Sequence, residues 1–350
     1  MKQVIFVGWV RTGKPPVDGE TAKNQYIIVE LKKYCKVTVL DFYQKNRHPW
    51  IFLQALWALV SLPKATIIFS TSPKNVYSTL KLFQALHLKR EVIHWVIGGN
   101  FGDNIQNGVY DAKVFGYAKY TFVESHVMVK QLRESGIQGV SQLSNFKEIP
   151  YLPNLDKALT LRNQSKKTRF VFLSRIMADK GCDYILSAAK LLNKQGYADK
   201  FTIDFYGKID SVYNNIFERS VNSIDNVFYH GLLNLKNNEG YDELSTYHAM
   251  LFPTYWRGEG FAGVFVDAFI AGLPIMVSDW AHNTEYINNG KTGIVFPTHN
   301  VESLREVMEN CINKKINLYA MSLNARAEAK KYQTENVITE DLLKSVGLTE

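Results

Sequence analysis

The chain of 350 residues contains no hydrophobic run long enough to cross a bilayer. Its longest, Trp50 to Leu62, covers 13 residues and stops at Pro63, whereas a spanning helix needs about 20. Cysteine is scarce. Cys35, Cys182 and Cys311 are scattered and odd in number, which supports neither a disulfide framework nor a zinc site and suits a reducing compartment. No low-complexity tract and no repeat of solenoid period is present, which removes repeat architectures. An acidic D-x-D triplet, a spacing at which two carboxylates can share a metal ion, has one near-match, Asp18-Gly19-Glu20. It does not end a strand-like run, so no metal site is read from it. The apolar start Met1 to Val7 is broken at once by Arg11, Lys14 and Pro15-Pro16, and reads as a first strand rather than a signal peptide.

What is present is a foldable chain with an uneven charge. Hydrophobic residues make up 46%, and single cores stop growing near about 250–300 residues, so two domains are expected. Residues 1–150 hold 19 Lys or Arg against 10 Asp or Glu, and residues 151–350 hold 22 against 23. A basic first half beside a neutral second half points to an anionic surface or substrate for the first. The basic residues carry no recognisable nucleic-acid motif, so nucleic acid is not expected as a partner.

Strand-like and helix-like stretches alternate throughout, which predicts parallel sheets covered by helices: an α/β class with two Rossmann-like, doubly wound domains. Candidate strands in the first half are 4–7, 37–40, 66–69, 92–97 and 120–123, with helices near 21–34, 50–61, 74–88 and 126–135. The second half restarts the pattern with strands 170–173, 201–206, 227–229, 250–252, 275–277 and 294–296, and a helix at 181–194. Pro150 to Lys167, with two prolines and a polar run, reads as the linker. The expected domains are therefore 1–155 and 165–330. In such folds ligands sit beyond the carboxyl ends of the strands.

The most informative stretch runs from Tyr255 to Pro297. Gly258-Glu259-Gly260-Phe261-Ala262-Gly263 precedes an apolar helix that includes Asp267 and stops at Gly272. A glycine-rich turn before a helix exposes backbone N–H groups and the positive end of the helix dipole, which suits a phosphate or sugar hydroxyl. Glu259 and Asp267 are eight residues apart, on the order of 12 Å along a helix. That is wider than the ~5–9.5 Å of hydrolytic carboxylate pairs, and it matches the span from sugar to ribose in an extended nucleotide-sugar.

The stretch resembles the E-x7-E region of retaining glycosyltransferases of the GT-B fold, family four (glycosyl transferases group 1). Phe172-Leu173-Ser174-Arg175 with Lys180-Gly181 resembles that family's other donor motif. Asp267 stands where the second Glu is usual, as in some members that build surface polysaccharides, where Ser-Asp-Trp follows, as Ser278-Asp279-Trp280 does here. The resemblance is strong over 168–300 and weaker over 1–150. It implies two domains facing across a cleft, with a terminal helix of about 335–350 returning to the first. It also implies that Arg175 and Lys180 offset the charge of a leaving diphosphate without metal. Glu259 would hydrogen-bond the donor sugar, the N–H groups of Gly260, Phe261 and Ala262 would add contacts, and Asp267 would hold the ribose.

Weaker candidates follow from the same resemblance. Gly207, and Leu232 after Gly231, occupy loops that approach the base, though a glycine at a strand end is often a turn residue. Gly19 and Lys23 sit near a glycine-rich turn facing diphosphate and acceptor. His94 and Asn100 flank a strand end whose histidine contacts the sugar in many members, and a core histidine is an equal reading. The helix around Trp50 and Trp57 is expected to pack in the core, with contact at an anionic inner membrane face as the alternative.

Together these imply a cytoplasmic, metal-independent, retaining transferase with no cofactor, with a peripheral place on the inner membrane face as the alternative that the Trp50–Trp57 helix leaves open. It would move a sugar from a nucleotide diphosphate, UDP by family frequency, to a glycan or lipid-linked acceptor in capsule or exopolysaccharide synthesis. Two rivals stand beside it: a sugar-nucleotide epimerase of the same fold, and a non-catalytic partner subunit.

Overall fold

The computed structural model describes residues 1–46 and 48–349. The chain divides into one compact unit of Met1–Glu148 with Tyr332–Glu350 and another of Ile149–Lys331.

The first unit holds six parallel strands: β1 (Lys2–Gly8), β2 (Cys35–Asp41), β3 (Thr66–Thr71), β4 (Val92–Val96), β5 (Tyr120–Val123) and β6 (Val140–Gln142). Their spatial order is β2-β1-β3-β4-β5-β6. Both faces are covered, so β3 and β4 are buried throughout, including their Thr, Ser and His residues. Alternation decides which core each residue joins. Ile5 packs with Ile67 and Phe69 on one face, and Val4 and Phe6 with Ile27 and Leu31 on the other. β6, three residues long, has too little apolar pattern to be seen in the sequence.

Three helices of this unit matter below: α1 (Gly19–Tyr34), α2 (Ile51–Ser61) and α3 (Pro73–Ala85). α1 starts at a capping box, in which Asp18 accepts from the Thr21 N–H and the Thr21 hydroxyl closes back on the Asp18 N–H. α2 corrects the expectation of a core helix. Only Ile51 and Ala58 are buried along it, and Trp57 is 70% exposed. The tail forms two short helices, Thr334–Val337 and Glu340–Ser345, rather than one continuous helix. Ile338, Leu343, Val346 and Leu348 from this tail enter the core with Ile27, Leu31 and Cys35.

The second unit repeats the plan with β7 (Thr168–Leu173), β8 (Phe201–Tyr206), β9 (Val227–Tyr229), β10 (Ala249–Phe252), β11 (Ile275–Ser278) and β12 (Gly293–Phe296), all parallel in the order β12-β11-β10-β7-β8-β9. The expected linker is corrected here. Leu155–Gln164 is a helix capped by Asn154, with Ala158, Leu159 and Arg162 buried. The polar run at 163–167 lies at its end and hid it. Strand order reverses between β7 and β10, so the loops after these two strands meet at the switch point where open α/β sheets bind ligands.

Candidate donor-site residues

The two loops at that switch point carry the residues singled out by sequence. After β7 the chain passes Arg175 and makes a short turn, Ala178–Lys180, closed by Gly181 in a left-handed conformation at φ +79°. A Cβ at Gly181 would stand 2.1 Å from the Pro253 carbonyl oxygen, so only glycine lets this turn lie against the exit of β10. The Tyr255 N–H donates to the Asp179 carbonyl at 2.8 Å and stitches the loops together.

This stitching brings Lys180 to Glu259. The ammonium stands 2.5 Å from Glu259 Oε2, and the Thr254 hydroxyl donates to the same oxygen at 2.9 Å. Both charged residues are 4% exposed. Glu259 Oε1 has no hydrogen-bond donor among the described residues. Trp256 gathers the cations, with the Arg175 guanidinium 4.9 Å and the Lys180 ammonium 4.8 Å from its ring centroid. Its carbonyl accepts from Trp280 Nε1 at 2.8 Å, fixing the loop. Arg175 is exposed and makes no ion pair among the described residues.

The turn continues into the helix Gly263–Ile270, whose start has no side-chain cap. Phe261 is buried and stacks on Tyr286 at 4.0 Å between centroids, which holds Gly260 and Ala262 at the helix start. Asp267 is 3% exposed and accepts from the Tyr241 hydroxyl at 2.7 Å. Thr254, Trp256 and Tyr241 were missed by sequence reasoning. Tyr241 lies 26 residues from its partner, and no local spacing could have pointed to it. Trp256, two residues before the glycine-rich turn, was visible as an aromatic beside Arg257.

Gly207 has a structural role. A Cβ there would stand 1.7 Å from the Ser174 carbonyl oxygen, its N–H donates to Gly231 and its carbonyl accepts from Tyr229. Leu232 lies on a loop and is 75% exposed.

In the first unit the candidates separate. Gly19 is the exposed first residue of α1, and Asn100 is half-buried before the helix Phe101–Gln106. Lys23 is buried, with its ammonium 2.7 Å from Glu124 Oε1, which leaves its charge engaged inside the fold rather than at an acceptor. His94 is fully buried in β4 between Phe101 and Phe115, and burial pulls its pKa down to about 4. Its Nε2 lies 3.3 Å from the Thr71 carbonyl oxygen. The ring reaches no surface, so the sugar-contact expectation for His94 is withdrawn in favour of a neutral core histidine. Burial also raises the Glu20 carboxyl to about 7, against a hydrogen bond with Thr71. Among the described residues no group of three or more His, Cys, Asp or Glu could hold a metal ion.

Residues 159–332 match the family model for glycosyl transferases group 1. This segment resembles a group 1 glycosyltransferase domain. It spans the whole site just described, from Arg175 to Asp267. A protein from the cps region of Klebsiella pneumoniae, itself uncharacterized, is 29% identical over 147 residues, 42% of this chain and 37% of its own length. CapM of Staphylococcus aureus, a capsular polysaccharide biosynthesis glycosyltransferase, is 23% identical over 49% of this chain and 43% of its own length. The chain thus aligns with less than half the length of either relative. Among solved structures, Anabaena Alr3699/HepE in complex with UDP superimposes with a TM-score of 0.73 at 15% identity, covering 99% of this chain and 100% of that one. The two six-stranded parallel units, the second of which holds the matched segment, are those of the GT-B fold.

Proposed function

We propose that the chain is a retaining glycosyltransferase that moves a sugar from a UDP-linked donor to a glycan or lipid-linked acceptor in surface polysaccharide synthesis, without metal or cofactor. The observation that carries this reading is the buried Lys180–Glu259 pair beside Arg175 at the β7/β10 switch point of the matched segment. A departing nucleoside diphosphate develops about two negative charges, and two fixed cations offset them. Arg175 supplies planar, forked donors, and the Lys180 ammonium keeps two N–H groups beyond the one given to Glu259. Glu259 Oε1 accepts from a donor-sugar hydroxyl, and Asp267 from the ribose. Retention follows from the family resemblance. The bond from the anomeric carbon to the diphosphate breaks as an acceptor hydroxyl bonds on the same face, and the hydroxyl proton passes to the departing diphosphate oxygen. UDP as the nucleotide is supported by its presence in the similarly folded Anabaena protein.

A thermal-shift and nucleotide-release screen against UDP-, GDP- and ADP-sugars in chelator tests this. Stabilisation by one UDP-sugar with slow release of UDP is the expected result. Interconversion of UDP-sugars without acceptor would favour the epimerase, and no shift with any nucleotide would favour the non-catalytic subunit.

Membrane contact belongs to the same proposal. Among the described residues no helix is long and apolar enough to cross a membrane. α2 instead exposes Phe52, Leu53, Leu56, Trp57 and Val60, with Trp50 just before it. Between positions 42 and 90 the sequence holds seven Lys or Arg and no Asp or Glu. An apolar helix face in a basic segment suits an anionic leaflet. Cosedimentation with anionic but not neutral vesicles is expected, lost in Trp57→Ser and weakened by salt. Equal partition to both vesicle types would remove the electrostatic part of this proposal. The scattered thiols, all free and buried, accord with a cytoplasmic location.

A further inference from the structure

The first unit contains a cavity system that the donor chemistry does not use. Strand order reverses here too, between β1 and β3. Beside that reversal an apolar slot of about 260 Å³ lies between β1–β3 and the helices α2 and α3, walled by Ile5, Phe42, Phe52, Leu59, Phe69 and Phe83. A second basin of about 950 Å³ is lined by Arg11, Lys14, Lys45 and Lys74. Trp9, Phe42, Lys45 and Asn75 line both, so the apolar slot adjoins the cationic basin directly.

The basin keeps its positive charge. None of its four cations forms an ion pair with a described residue. The carboxylates beside it are engaged by backbone N–H groups: Asp18 accepts from Thr21, and Asp41 accepts from Val10 at 3.0 Å and Thr12 at 2.7 Å. The loop that presents Arg11 and Lys14 is held rigidly. Gln25 Nε2 donates to the Val10 and Lys14 carbonyls at 2.8 and 2.9 Å, and Arg11 itself is kept at φ +60°, a strained conformation for a non-glycine residue.

We propose that slot and basin together bind an amphipathic lipid phosphate, with its phosphate or diphosphate head among the four cations and the first part of its hydrocarbon chain in the slot. Apolar walls gain dispersion contacts from a hydrocarbon chain laid between them, and a cluster of cations without ion-pair partners draws an anion. The slot is smaller than the ~300–1,000 Å³ of a drug-sized pocket, as a single extended chain requires. The wall formed by Phe52, Ala55 and Leu59 belongs to the same helix that exposes Leu53, Leu56 and Trp57. A longer chain would therefore leave the slot beside an apolar surface. Naming this ligand the lipid end of the acceptor rests on the glycosyltransferase reading; its chemistry does not.

Calorimetry on the intact chain with inorganic pyrophosphate, geraniol and geranyl diphosphate, each with and without UDP, tests the site. Geranyl diphosphate should bind at least about tenfold tighter than pyrophosphate, because burial of the chain adds to the head contacts, and UDP should not displace it. Ala55→Phe, which fills the slot, should remove that gain and leave pyrophosphate binding unchanged. A dimethylallyl, geranyl and farnesyl diphosphate series on the unaltered chain gives the same reading if the variant fails to fold. No gain with chain length, displacement by UDP, or a gain that survives Ala55→Phe would overturn the proposal. Loss of UDP binding alone counts only against the transferase reading.

Discussion

Lys180→Met is expected to lower turnover by about 10²–10³-fold, the effect of removing one fixed donor from a developing anion, while UDP binding weakens far less. The substitution keeps an unbranched side chain of similar length and removes only the charge. Arg175 remains over Trp256 to meet the diphosphate, so ground-state affinity is partly retained. The charge that grows as the glycosidic bond breaks is then offset by one cation instead of two. A kcat within about twofold of the parent would remove Lys180 from the chemistry.

A purely structural role for the pair predicts a different pattern. Lys180 and Glu259 are both buried, and removing one partner of a buried pair leaves the other charge uncompensated, at a cost of about 3–5 kcal/mol in stability. Lys180→Met alone can therefore lose activity by partial unfolding. Glu259→Gln separates the two readings. Its amide oxygen can still accept from Thr254 and Lys180, which keeps both hydrogen bonds although the ammonium loses its counter-charge, and a carboxylate acceptor for the sugar is lost. Loss of kcat in the folded fraction of Glu259→Gln, measured with Lys180→Met and the double variant, assigns the pair to catalysis. Loss of stability with unchanged kcat in the folded fraction assigns it to the fold.

The legible parts of this chain were those with local signals. Among the described residues eleven of the twelve strands hold enough apolar residues to be read; β6 offered three residues, only one of them buried. Arg175, Lys180, Glu259 and Asp267 could be named because the short motifs around them resemble those of group 1 glycosyltransferases. That Lys180 and Glu259 touch could not be read from spacing, since they are 79 residues apart. α2 misled for a physical reason. Its apolar residues go nearly all round the helix, and such a helix is normally buried; sequence does not tell a buried helix from one whose partner is absent. His94 and Lys23 misled in the opposite way, because polar residues near a strand end or helix start look functional until burial and an internal partner are seen.

A large loss of stability is also expected at Arg162, a residue that no motif marks. Its guanidinium is buried, and no carboxylate among the described residues pairs with it. It donates instead to the carbonyls of Ser245 at 2.8 Å, Gly272 at 3.0 Å and Ala271 at 3.2 Å, and to the Ser322 hydroxyl at 2.7 Å. Ala271 and Gly272 end the helix that carries Asp267, so the cation also sits at the negative end of that helix dipole. Arg162→Met keeps much of the aliphatic packing but leaves three carbonyls without a donor, at about 1–3 kcal/mol each before relaxation. A net loss of about 4 kcal/mol is expected, near the middle of the range for breaking a buried charged network. For a domain of this size that lowers Tm by about 10 °C. Arg162→Lys restores the charge but not the fork that reaches four acceptors, and should recover less than half of the loss. A calorimetric Tm within about 2 °C of the parent for Arg162→Met would mean that the carbonyls find other donors, and that the helix bearing Asp267 is held by its apolar face alone.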